Sequence, residues 1–107
     1  MQETIEYIKQ AFELKSQQCY KQAIEMLYKA LEIENNNLEI LFQLGELYFL
    51  LNNFARSQQY LEKVIAQNEN HVEALKTLEK IYLMSNEFSK AFQFAEKIYS
   101  IQNTTEN

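Results

Sequence analysis

The sequence predicts an all-α protein of three stacked helix-turn-helix hairpins with no sheet, and three observations carry that expectation. Residues 34 places apart match in character along most of the chain. Within each 34-residue unit the apolar residues recur at helical spacing. Helix breakers are almost absent, since the 107 residues include no proline and one glycine, Gly45.

A fixed period of about 20–50 residues marks repeats that are each too small to bury an apolar face alone and so stack on their neighbours. Here the columns read Tyr7, Leu41, Leu75, then Leu14, Tyr48, Tyr82, then Tyr20, Phe54, Phe88. Ala23, Ser57, Ala91 and Lys29, Lys63, Lys97 continue the pattern. Aromatic residues meet aromatic or aliphatic ones, and small residues meet small ones. The whole chain, 1–107, is expected to be one domain, with repeats at about 4–37, 38–71 and 72–103 and a polar tail at 104–107.

Taken in order, the first unit gives helices near 3–17 and 20–33 about a turn at Gln18-Cys19. The second gives 37–51, where Leu41, Leu44 and Tyr48 share a face, and 54–67, where Leu61, Val64 and Ile65 do. Its turn is Asn52-Asn53. The third gives 71–84 and 88–101 about Asn86-Glu87. Asn35-Asn36-Asn37 and Asn68-Glu69-Asn70 separate the units, and asparagine tolerates the left-handed conformation that ends a helix.

On these residues the chain, from about Thr4 to Asn103, resembles the tetratricopeptide repeat family. The family's first-helix pattern of large, large, small, large is matched by Leu41, Leu44, Gly45 and Tyr48. Its second-helix pattern of small, large, small is matched by Ala23, Leu27 and Ala30. The resemblance implies a right-handed superhelical α-solenoid that binds other proteins. Departures are the tryptophan column, here Tyr7, Leu41, Leu75, and the closing proline column, here Asn35, Glu69, Asn103. In the third unit Glu79 stands in a small column and Ala95 in a large one, and no polar seventh helix follows Ile101.

The net charge of −5 repels phosphate backbones and anionic lipid, so neither a nucleic-acid nor a membrane partner is expected. A helical RNA reader would need basic residues along its inner surface. The start has no basic segment followed by an apolar run, and the reading is of a cytoplasmic protein. Its one cysteine, Cys19, cannot form an internal disulfide, and that fits a reducing compartment. His71 and Cys19 each sit alone in a turn, so no catalytic residue, metal site or cofactor is expected, and the chain is not read as an enzyme.

Two surfaces remain as candidates. By the resemblance, first helices line a concave groove, which here takes Ile5, Ile8, Phe12, Phe42, Glu46, Phe49, Lys76, Lys80 and Leu83 as peptide-binding residues. Some family members clamp acidic chaperone tails with lysines, asparagines and an arginine. Those columns read Ile8, Phe12, Gln43, Glu73 and Thr77, so the clamp is missing. The mixed apolar stripe suits a peptide or amphipathic helix of a partner, whereas the middle helix, apolar all round from Leu47 to Leu51, equally suits burial.

The second surface is the end of the stack. Glu6, Gln10 and Glu13 occupy the columns of Ile40, Leu44, Leu47 and of Ala74, Leu78, Ile81, giving a polar N-terminal cap. The last helix carries Phe92, Ala95, Ile98, Tyr99 and Ile101 with nothing expected to cover them, so this face is read as a self-association surface, with a homodimer and a longer chain both open. The functional expectation is a protein-interaction module. The alternatives are a structural self-association module and, by a looser resemblance, a small secretion-type chaperone holding an apolar client segment.

Overall fold

The computed structural model describes residues 2–105, so Met1 and the last two residues of the expected tail lie outside the described residues. Six helices follow one another: α1 (Gln2–Ser16), α2 (Tyr20–Ile33), α3 (Leu38–Leu50), α4 (Phe54–Gln67), α5 (Val72–Met84) and α6 (Phe88–Thr105). Among the described residues there is no strand, and the fold is the all-α array of helical hairpins the period predicts. Boundaries agree with expectation within a residue or so, except that α6 runs on to Thr105. No glycine or proline interrupts Gln102-Asn103-Thr104-Thr105, so the helix continues into the first two residues of the expected tail.

The three hairpins close in the same way. Gln18, Asn52 and Asn86, 34 residues apart, have φ of 64°, 64° and 63°. The next residue in each case reaches back five positions: Cys19 N–H donates to the Leu14 carbonyl (2.8 Å), Asn53 to Tyr48 (2.8 Å) and Glu87 to Tyr82 (2.9 Å). With the Gln18–Lys15, Asn52–Phe49 and Asn86–Leu83 bonds, this is the Schellman arrangement, which satisfies carbonyls that the helix end would otherwise leave unpaired. Asparagine enters the left-handed region readily; the same geometry costs a longer side chain such as Gln18 about 1–2 kcal/mol.

The asparagines between hairpins work differently from the expectation. Among the described residues, positive φ occurs at those three turn positions and not at Asn35–Asn37 or Asn68–Asn70. Two of these asparagines, Asn37 and Asn68, act through their side chains. Asn37 Oδ1 accepts the Ile40 N–H at 3.2 Å and caps α3, and Asn68 Oδ1 accepts the Asn70 N–H at 3.1 Å. His71, expected to sit alone in a turn, caps α5, its Nδ1 accepting the Ala74 N–H at 3.2 Å.

Two compact units divide the chain, Met1–Tyr60 and Leu61–Asn107, and their boundary falls inside α4. In the first unit, α1 packs on α2 and α2 on α3. Its core joins Ala11, Ala23, Ile24, Leu27 and Ala30 to Ile40, Leu44 and Leu47, and Leu27, Ile40 and Leu44 are wholly shielded. The alanines let helices approach while the leucines fill the space beside them. Gly45 and Ser57, the small pair of the second hairpin, touch directly: Ser57 Oγ donates to the Gly45 carbonyl at 2.7 Å in a buried setting. Glu6, Gln10 and Glu13 are exposed where their column mates in the later repeats are buried. In the second unit α5 packs on α6, and Tyr82 stacks on Phe94 with centroids 5.4 Å apart.

Candidate functional site

Each expected groove residue falls on α1, α3 or α5, and the two units bring different sets together. In the first unit, α1 presents Ile5 (66% exposed) and Phe12 (44% exposed), seven residues apart on one helical face. Ile8, between them, is half-buried against the core. Phe42 and Glu46 on α3 are half-buried. Phe49, half-buried, packs its ring against Phe54 across the α3–α4 turn, with centroids 5.3 Å apart and planes tilted by 59°. Of the clamp columns in this unit, Gln43 is buried and its Nε2 donates to Glu39 Oε1 at 3.0 Å, so its amide is engaged within the helix.

In the second unit Lys76, Lys80 and Leu83 are exposed on α5. Thr77, another clamp column, is buried and donates to the Glu73 carbonyl at 3.2 Å. Lys76 and Lys80 belong with the other candidate set. Together with Glu79 they form one wall of an open cleft of about 390 Å³ whose other wall is Ala95, Ile98, Tyr99 and Gln102. Residues read as two separate surfaces thus line one. Ala95 explains the space, because it stands where the repeat pattern calls for a large side chain.

The end face also differs from its expected form. Phe92 and Tyr99 are exposed at 64% and 70%, whereas Ile98 is 7% exposed and belongs to the α5–α6 core. Ala95 and Ile101 are half-buried. Ile98 lies about 100° round the helix from Tyr99, so neighbours in sequence part between core and surface. A charge at Ile98 therefore tests folding and not association.

A hydrogen-bonded cluster of tyrosines went unread in the sequence. Tyr28 Oη lies 2.6 Å from Tyr48 Oη and 3.1 Å from Tyr60 Oη. The Tyr48 and Tyr60 rings stack at 5.8 Å, and the Arg56 guanidinium lies 5.8 Å from the Tyr48 ring centroid. In the second unit Tyr82 Oη donates to Glu62 Oε2 at 3.0 Å. The pairs 28/48 and 62/82 are one repeat apart, so comparing pairs of columns would have found them.

Burial pushes the Tyr48 phenol up to about 12, with the Tyr28 hydrogen bond adding to it. Burial likewise raises Tyr28, and burial followed by the Glu62 carboxylate pushes Tyr82 up to about 12. The folded state therefore holds these protons more tightly than the unfolded chain, whose phenols titrate near 10. The stability they contribute is complete below pH 10 and is lost as pH rises through about 12. Thermal melts across this range are expected to show the midpoint falling, and Tyr48→Phe to fall less steeply. Equal slopes in the two proteins would contradict the assignment.

The chain belongs to the tetratricopeptide repeat family, whose profile matches residues 14–81. No curated protein matches it significantly. Solved structures show the same fold at low identity. A crystal structure of MamA aligns over 96% of this chain and 60% of its own at a TM-score of 0.90 and 14% identity. The first repeat domain of Spaghetti (RPAP3), bound to the HSP90 peptide SRMEEVD, aligns over 95% and 81% at 0.87 and 17%. The Sgt2 repeat domain from Aspergillus fumigatus aligns over 96% and 68% at 0.85 and 16%. This chain thus spans 60% of the length of the MamA structure.

Proposed function

We propose that this chain is a protein-interaction module that binds an apolar peptide or an amphipathic helix of a partner, with Phe12 and Ile5 as its leading anchors. The observation that carries the reading is the exposure of these two large side chains on one face of α1, within a unit whose other large apolar residues are mostly packed. Exposed aromatic residues are efficient anchors because they contribute much apolar area at small entropic cost. Family membership supports the general role, and the RPAP3 domain holds a peptide in its structure.

The ligand differs in chemistry from that acidic peptide. At the clamp columns this chain has Ile8, Phe12, Gln43, Glu73 and Thr77, with no cation among them. A carboxylate-rich tail would lose hydration there without gaining a charge partner. Panning a displayed peptide library tests the reading. Wild type is expected to enrich amphipathic sequences, Phe12→Ala to bind them about tenfold or more weakly, as loss of an anchor residue does, and SRMEEVD to show no saturable binding. Tight binding of SRMEEVD, or indifference of the enriched peptides to Phe12→Ala, would overturn it.

A further inference from the structure

The second unit carries a surface that the peptide-binding reading does not use. Along α6, Phe88 (61% exposed), Phe92 (64%) and Tyr99 (70%) stand at i, i+4 and i+11, with Ala95 completing the stripe at i+7. At 3.6 residues per turn these four positions share one face. The small Ala95 lies between the large Phe92 and Tyr99, so the stripe holds both projections and a hollow.

Charge tells what covers it. One edge of the stripe is the cleft wall, where Lys76 and Lys80 stand across from Ala95 and Tyr99. Helix geometry puts the exposed Glu96 on the opposite edge. No ion pair engages Lys76, Lys80 or Glu96 among the described residues, where Lys90–Glu87 (3.6 Å) is found instead. A two-fold axis parallel to the helix brings opposite edges of two stripes together, whereas an antiparallel arrangement brings like edges together. The first sets cations against a carboxylate twice over. The second sets lysines against lysines, which repels.

We propose that two copies of this chain associate in parallel along α6, burying the Phe88–Phe92–Tyr99 stripe and setting Glu96 of each copy against Lys76 and Lys80 of the other. An interface of this kind is isologous and closes at two subunits. It also explains why three large aromatic side chains remain on one face of a helix whose opposite face is buried. Glu79, which shares the cleft wall with the lysines, lowers the positive charge there without reversing it.

Sedimentation of the wild-type chain over a wide concentration range is expected to show a monomer–dimer equilibrium. Glu96→Lys should weaken the dimer by about tenfold or more, as like charges at an interface do, and the triple variant with Lys76→Glu and Lys80→Glu should recover it. Orientation is read by cross-linking in a Cys19→Ser background. Phe88→Cys and Tyr99→Cys chains should each form disulfide dimers with their own kind, because a parallel axis sets each position against itself. These substitutions are at exposed sites, and circular dichroism melts check that each variant folds. Failure of the charge swap to restore association, or disulfides only in mixtures of the two cysteine variants, overturns the parallel pairing. A chain that stays monomeric at every concentration overturns the dimer itself.

Discussion

Leu44→Ala is expected to lower the unfolding free energy by about 2–5 kcal/mol, the range for truncating a buried leucine. Leu44 is wholly shielded and joins the residues of α1, α2 and α3 in the core of the first unit. Its removal takes apolar area out of the core and leaves a cavity that rigid neighbours close only in part. At roughly 4–8 °C per kcal/mol for a domain of about this size, the melting midpoint should drop by at least about 8 °C. Phe12→Ala provides the contrast. At 44% exposed, Phe12 should cost less than Leu44 while removing a binding anchor. Equal losses in a denaturant titration of the two variants would put Phe12 in the core and end its role as a ligand contact.

Gly45→Leu should destabilise by about 1–3 kcal/mol or more, because overpacking forces side chains from their rotamers and shifts backbone. The glycine is buried within α3, and its carbonyl receives the Ser57 hydroxyl at 2.7 Å. That bond requires the two helices to lie close, and a leucine side chain at the contact would push them apart and strand a buried hydroxyl. Gly45→Ala should be tolerated far better, since its single methyl is the smallest addition and alanine favours the helix by about 1 kcal/mol. Urea midpoints of the two variants decide the matter. A Gly45→Leu protein as stable as wild type would mean that the α3–α4 contact has room to spare.

The helices were legible because their signals are local. Apolar spacing placed all six, and the turns fell where Gln18, Asn52 and Asn86 take the left-handed conformation. The polar edge of α1 was legible because Glu6, Gln10 and Glu13 replace residues that are apolar in both later repeats. What escaped depends on rotation about a helix axis. Ile98 and Tyr99 are both apolar, and only packing against α5 shows that the first is core and the second surface. The exchange of large and small at Glu79 and Ala95 hid the cleft, because the repeat pattern says which side chains should fill that space and not what is left when one is missing. The contact of the Phe49 ring with Phe54 also escaped, because it depends on side-chain direction across a turn. Tyr28, Tyr48 and Tyr60 escaped because residues on three helices must be compared together, and column-by-column reading treats each alone.

The backbone closures of the hairpins bear on how quickly the chain finds its fold. Each Schellman turn is made within a few residues of sequence, and the helix pairs α1–α2, α2–α3 and α5–α6 join elements that are consecutive along the chain. Contacts of this kind close short loops, so little chain entropy must be lost before packing begins to offset it. Local contact maps accompany folding on the microsecond-to-millisecond scale, as in other helical proteins. Because each turn is self-contained, a nucleus can start in any hairpin and spread to the next, with no single obligatory first step.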